Sequence, residues 1–370
     1  MTNLENKKIA IVADWIKDWG GAEMVLSHMM ELFPNADIFT SVFYQEKNPL
    51  FAGRKVTTSF IQKIPFLNKS HKLALTLRPL AMESFDLSEY DIVITSSSAE
   101  SKGVITKPET LQITYCHTPT RYFWSHYHEY LNMMEFGILN KLALFLMPAL
   151  VHKLRQWDFV AAQRSDFIIS NSQNTASRVR KYYDREVSVI YPGVDSEKFI
   201  FSGEKEDFYL YVGRVIPYKK FDLIVDAFNE NGKKIVIITN TDNKLYRELK
   251  AKSKPNIEWK LNISREETAR YFSKAKAFLF PPEEDFGIVP LEAMACGTPV
   301  IAYAKGGALE TVISNETGLF FTNQNVESLN NTIEKFEEMH FNYEHIREHA
   351  LKFDKEIFKE NLKQFIESKI

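Results

Sequence analysis

The 370-residue sequence is poor in cysteine, holding only Cys116 and Cys296, far apart in the chain. A disulfide framework and a Cys-x-x-Cys metal site are both excluded, and a reducing compartment is implied. Glycine and proline, at 14 each, are too few for a fibrous or low-complexity chain. No charge sign dominates: 46 Lys and Arg against 48 Asp and Glu leave -2, which excludes the bulk basicity of a protein that wraps nucleic acid. Long hydrophobic runs are also missing. The longest charge-free apolar stretch, Leu142 to Val151, is far short of the ~20 residues that span a bilayer. The start, MTNLENKKIAIVADW, carries acidic Glu5 and a short apolar core, which reads as a first strand rather than a signal peptide. The expected location is cytoplasmic, or on a membrane from that side.

Several catalytic strings are absent as well. No GxGxxG, Walker A, GxSxG or HExxH occurs, which weakens dinucleotide oxidoreductase, P-loop, nucleophile-elbow and zincin readings together. No Asp is followed two positions later by another Asp. Without that metal-chelating pair, any phosphate charge has to be met by Lys, Arg or backbone N–H groups.

What is present is a rhythm of short β-type runs alternating with helix-period segments, the pattern of parallel sheets with crossover helices. The length, more than twice the ~150 residues of a usual domain, argues for two domains. Strands are expected at Lys8–Ala13, Asp37–Ser41, Asp91–Ser96, Leu111–Cys116, Phe167–Ser170 and Val187–Tyr191. A second set follows at Tyr209–Gly213, Lys234–Thr239, Ile257–Lys260, Ala277–Pro281, Pro299–Tyr303 and Gly318–Phe321. Phe221, Ile224, Val225 and Phe228 make one helical stripe, and Ser264 with Glu267 reads as a capping box. The turn at Tyr191 to Asp195 divides two Rossmann-like domains, 1–195 and 196–355. A last amphipathic helix, 356–370, closes its own domain or crosses to the other.

Two loops in the second half carry the chemistry. In Gly213-Arg214-Val215-Ile216-Pro217-Tyr218-Lys219-Lys220, two cations five residues apart on a strand-to-helix loop can clamp a diphosphate, Arg214 by its planar fork and Lys219 as a point charge. Taken alone they also read as solvated loop charges. In the segment from Glu283 to Gly297, Glu284 falls in the loop after a strand and Glu292 is expected in the first turn of the next helix, where the dipole favours a carboxylate. Gly287 lets the backbone approach a ligand, and the N–H groups of Phe286, Gly287, Ile288 and Val289 face an anion at that helix start.

Taken in order, Gly20-Gly21-Ala22-Glu23, Tyr115-Cys116-His117-Thr118-Pro119, the Arg214 loop, the Glu-x7-Glu segment and Gly306-Gly307-Ala308-Leu309-Glu310 resemble the family-4 retaining glycosyltransferases of the GT-B fold. The resemblance covers essentially the whole chain and is nearest to bacterial surface-polysaccharide transferases, many of which use GDP-mannose. It implies two Rossmann-like domains facing across a cleft, an acceptor domain followed by a nucleotide-sugar domain. It further implies that Glu292 binds the ribose hydroxyls, Glu284 the donor sugar, and Arg214 and Lys219 the diphosphate, helped by N–H groups at Gly20, Gly21 and 286–289. Lys220 can substitute for Lys219. His117 would face the transferred sugar, although a lone histidine after a strand also reads as a hydrogen-bonded loop residue. Arg121 is a contact for an acceptor phosphate or an ordinary salt bridge.

The implied enzyme moves a hexose from GDP-mannose or a UDP-sugar to a lipid-linked saccharide or other glycan hydroxyl, with no metal and no cofactor. A nucleotide-sugar epimerase and a catalytically silent nucleotide-sugar-binding subunit are the alternatives on the same scaffold. One window remains, Arg54 to Met82, with six basic residues, no acidic ones and interleaved apolar side chains. It suits a peripheral contact with anionic lipid, or equally a loop and helix packed on the core. The stretch Met133 to Val151 reads as core, as part of that same face, or as an acceptor tunnel.

Overall fold

The structure, a computed structural model of the chain, describes residues 4, 6–68, 74–132 and 140–370. It divides into two compact units, Met1–Tyr191 with Lys359–Ile370, and Pro192–Phe358.

Unit 1 is built on a seven-stranded sheet: β1 (Ile9–Ala13), β2 (Asp37–Thr40), β3 (Val56–Thr58), β4 (Ile92–Ser97), β5 (Leu111–Cys116), β6 (Phe167–Ser170) and β7 (Ser188–Val189), in the order β3-β2-β1-β4-β5-β6-β7. Every pairing is parallel. A parallel strand covered on both faces reads as a continuous apolar run, and Ile9 to Ala13 are all buried. Between the strands lie α1 (Gly21–Leu32), α2 (Arg78–Glu83), α3 (Tyr127–Asn132), α4 (Asn140–Gln163) and α5 (Gln173–Tyr183). One core cluster joins Val12, Phe39, Met82, Phe85 and Val93, with the rings of Phe39 and Phe85 edge to face at 5.3 Å.

Unit 2 repeats the plan with six parallel strands, β8 (Tyr209–Val212), β9 (Ile235–Thr239), β10 (Ile257–Leu261), β11 (Ala277–Phe280), β12 (Val300–Tyr303) and β13 (Gly318–Phe321), ordered β10-β9-β8-β11-β12-β13. Its helices are α6 (Phe221–Asn231), α7 (Lys244–Lys252), α8 (Arg265–Lys274), α9 (Ile288–Ala295), α10 (Ala308–Thr311), α11 (Val326–Glu337) and α12 (Tyr343–Leu351). The expected stripe of α6 is buried at all four positions, and the Ser264 hydroxyl accepts from the Glu267 N–H at 3.0 Å to cap α8. The last helix, α13 (Lys355–Glu367), buries Phe358, Leu362 and Ile366.

The expected strands differ from the observed ones mainly at the edges. Val187–Tyr191 shortens to the two residues of β7, which pair only with Ile169 and Ser170. An unexpected strand, β3, lies inside the basic window, where three half-buried residues pair with β2. That window is not one face. Arg54 donates to the carbonyls of Pro34 and Met30, Lys55 pairs with Asp37 at 3.4 Å, and Arg78 is buried. Lys63, Ile64 and Phe66 are exposed, while Lys69 and Lys72 lie outside the described residues. Of the Met133–Val151 stretch, 133–139 lie outside the described residues. Met147 and Val151 pack on Leu75, Phe123 and Leu154, whereas Phe145 is 79% exposed.

Candidate functional site

In an open α/β sheet the ligand crevice lies at the carboxyl ends of the strands where the strand order reverses. In unit 2 that point falls between β8 and β11, and the two loops singled out in the sequence leave those two strands. The first loop turns through a short 3-10 segment, Pro217–Lys219, and enters α6 by way of Lys220, held at φ 58° in the left-handed region. Arg214 is exposed and has no hydrogen bond or ion pair among the described residues. Lys219 turns inward. Its ammonium forms an ion pair with the Glu284 carboxylate, the side chains being 18% and 15% exposed, and lies 5.5 Å from the Tyr218 ring centroid. The buried Tyr211 hydroxyl donates to the Lys219 carbonyl and fixes the turn from below.

The second loop carries Glu284 and ends at Gly287, whose φ of 88° favours glycine. A turn that the sequence offered only as part of a resemblance proves to be the support of this loop. The Gly307 N–H donates to the Glu284 carbonyl at 2.9 Å, and a Cβ on Gly307 would come within 2.2 Å of the Phe286 Cα. The close approach of two backbones is therefore what demands glycine there.

Glu292 requires a correction. The helix begins at Ile288 and has no acidic residue in its first turn, so Glu292, its fifth residue, stands just past the turn in which the dipole acts most strongly on a carboxylate. Its half-buried carboxyl is instead pushed up to about 7, chiefly by burial, with Arg265 opposing and Asp195 adding to the rise. At neutral pH it is divided between an acceptor and a donor of hydrogen bonds. The backbone N–H groups of 286–289 do lie at the start of α9, as the order of elements requires.

The remaining sequence candidates belong to unit 1. Gly20 caps α1 with an extended φ of -156°, open to any residue, and α1 starts at Gly21. His117 follows β5 and is 9% exposed. Its Nε2 meets the Ser96 hydroxyl at 2.8 Å, its N–H donates to the Ser97 carbonyl at 2.8 Å, and its ring stands edge-on to Tyr115 at 5.2 Å. Arg121 is half-buried in the same turn.

Two buried carboxylates there escaped the sequence reading. Asp14, at the end of β1, accepts from the N–H groups of Ser98, Ala99 and Ser101 at 2.6, 3.0 and 2.7 Å. Asp158 binds Lys102, Thr120, Trp124 and Tyr183 at 2.6 to 2.8 Å, tying the His117 turn to α4 and α5. Asp14 had one legible signal, a lone acid directly after an apolar strand; Asp158, inside a helix, had none.

Comparison with known proteins follows the same division. Residues 19–198 match the family model described as Glycosyltransferase Family 4, and residues 195–353 match the one described as Glycosyl transferases group 1. An uncharacterized glycosyltransferase of Methanocaldococcus jannaschii is 32% identical over 178 residues, 47% of this chain and 50% of that protein. The O-antigen chain mannosyltransferase RfbU of Salmonella typhimurium is 27% identical over 197 residues, 48% of this chain and 55% of that one. The chain thus spans about half the length of the curated relatives it matches. Among solved structures, Anabaena HepE in complex with UDP and glucose superposes with a TM-score of 0.71 at 16% identity, covering 98% of this chain and 100% of that one. The fold is GT-B.

Proposed function

Since the chain belongs to the glycosyltransferases that join a family-4 domain to a group-1 domain, we propose that it transfers a hexose from a nucleoside diphosphate sugar to the hydroxyl of a lipid-linked saccharide or other glycan. Anomeric configuration is retained and no metal is used. The observation that carries this reading is the Lys219–Glu284 pair beside the exposed Arg214, at the carboxyl ends of β8 and β11. A bound donor divides the pair: the ammonium turns to the diphosphate and the carboxylate to the sugar hydroxyls. As the bond from the anomeric carbon to the phosphate oxygen breaks, Arg214 and Lys219 offset the charge that develops on the leaving group. The acceptor oxygen bonds to the same carbon, and its proton passes to the departing phosphate oxygen. Glu292 takes the ribose hydroxyls.

Gly20 and Gly21 offer N–H groups at the start of α1, and His117, fixed by Ser96, offers a hydrogen-bonding edge to a sugar hydroxyl. The Salmonella relative's name points to mannose and to surface polysaccharide, while HepE was solved with UDP, so GDP-mannose and UDP-sugars are the donors to try first. We also propose a cytoplasmic-side location with peripheral contact to anionic lipid through the exposed part of the 54–82 window around Lys63–Phe66. The exposed Lys63 and Ile64 beside Phe66, itself 75% exposed, support that contact; among the described residues no helix is long and apolar enough to cross a membrane.

Thermal-shift screening against UDP-, GDP- and ADP-sugars tests the donor, since a ligand at 100 times its Kd adds about 2.7 kcal/mol. NMR of the product reports its anomeric configuration. No shift with any nucleotide sugar, or an inverted product, overturns the reading.

A further inference from the structure

Unit 1 has its own reversal of strand order, between β1 and β4, and the side chains gathered at the carboxyl ends of those strands are charged and buried. Lys17, just past β1, is 6% exposed, and Arg78, which opens α2, is 4% exposed. Both line one small pocket with Trp15 and Ser41, with room of about 10 Å³, close to one oxygen atom. Lys17 sits on fixed backbone. The Ile16 N–H donates to the Val42 carbonyl at 2.8 Å, the Tyr44 N–H to the Ile16 carbonyl at 2.9 Å, and the Asn48 amide to the Lys17 carbonyl at 3.2 Å.

The four formal charges here do not simply pair off. Asp14 spends its oxygens on three backbone N–H groups. Glu100 accepts from the Tyr122 hydroxyl at 2.6 Å and faces Arg78 at 3.5 Å, and Arg78 also lies over the Trp15 ring at 4.8 Å. Lys17 is left with the Tyr44 ring, 5.6 Å from its ammonium, and no hydrogen bond or ion pair among the described residues. Neighbouring Asp18 is bound to Lys47 at 2.6 Å. An ammonium on a side chain largely withdrawn from water, beside the buried cation that Glu100 faces, gains from any anion that can reach it. Burial and Arg78 hold the Lys17 ammonium below its ordinary value, with Asp18 opposing and Lys47 adding to the fall.

We propose that this pocket is a phosphoryl-binding site, in which one terminal oxygen of a phosphate monoester enters between Lys17 and Arg78. The site stands on the geometry of unit 1 alone. Its assignment to the acceptor, which would then be a phosphorylated sugar or lipid, rests on the transferase reading above.

The test needs no turnover, so its failure is distinct from failure of that reading. Inorganic phosphate is titrated by ³¹P NMR into the full chain carrying Arg214→Ala, which weakens phosphate binding at the other loop. The expected result is saturable binding that Lys17→Met weakens about ten- to hundredfold, as loss of one charge-assisted hydrogen bond does, and that Lys17→Arg largely keeps. Geranyl phosphate binding more tightly than inorganic phosphate assigns a lipid-borne group; equal affinity assigns the phosphoryl group alone. Absence of binding, or binding indifferent to Lys17→Met in a protein with unchanged melting temperature, shows that the pocket holds only water and overturns the proposal.

Discussion

Lys219 and Glu284 are bound to each other across the two loops that leave β8 and β11, although the family resemblance implies that they hold opposite ends of one ligand. The pair keeps a cation and an anion in place and mutually neutral, each side chain less than one fifth exposed; in the proposed function a ligand bearing both a diphosphate and hydroxyl groups separates them.

Lys219→Ala or Arg214→Ala is therefore expected to lower kcat by about 10² to 10³, the usual cost of losing one group that stabilises the departing charge. Glu284→Gln should weaken binding of the nucleotide sugar while leaving the nucleoside diphosphate bound as tightly or more so, because it releases the Lys219 ammonium. Calorimetric titration with both ligands separates the two effects. Full transfer by both cation variants would remove the diphosphate assignment.

Glu292 makes stability depend on pH in an unusual direction. Its folded carboxyl titrates at about 7, against about 4.3 for a free glutamate, so the folded chain holds a proton that the unfolded chain has already lost. The stability linked to this group is present at low pH and disappears as pH rises from about 4 to about 7. Glu292→Gln should match wild type near pH 5 and exceed it at pH 8 by on the order of 2 kcal/mol, discounted for partial water access. Urea curves at both pH values decide it; a gap that does not grow with pH contradicts the burial argument.

Gly307→Ala should be among the more damaging small changes in unit 2. The new methyl would meet backbone rather than a yielding side chain, so the Glu284 loop has to shift, at a cost of about 1 to 3 kcal/mol of strain. The expected signature is a lower melting temperature together with loss of nucleotide-sugar binding. Normal binding in a destabilised protein would show that the two turns move independently.

For the membrane contact, Phe66→Ser with Lys63→Glu should release the protein from vesicles of anionic lipid and leave it folded, because both side chains are exposed. Arg78→Glu is the wrong probe, since it breaks a buried pair with Glu100 and is expected to unfold unit 1. Sedimentation with vesicles at low and high salt reads the difference, and unaltered binding of the double variant would dismiss this face.

The strands were legible because burial on both faces writes them as unbroken apolar runs, as in Ile9 to Ala13 and Ile235 to Ile238. β3 was not, because three half-exposed edge residues carry neither a run nor an alternation. The loops of the candidate site could be read from residue type and order, but what they touch could not. That Lys219 points at Glu284, that Gly307 supports the Glu284 loop, and that Arg78 is interior are contacts between residues far apart in the chain. The helix start at Ile288 puts Glu292 just past the first turn, and its raised titration comes from burial, which no local pattern marks.

The closing helix imposes an order on synthesis. Lys359–Ile370 belongs to the unit that begins at Met1, and there Leu362 and Ile366 are fully buried and Lys359 reaches Glu31 at 3.2 Å. On a ribosome this piece emerges only after all of unit 2 has been made. Unit 2 is contiguous and can fold as it appears, whereas unit 1 keeps an uncovered apolar strip until Lys359–Ile370 has followed. The unit made earlier is thus the later to be finished.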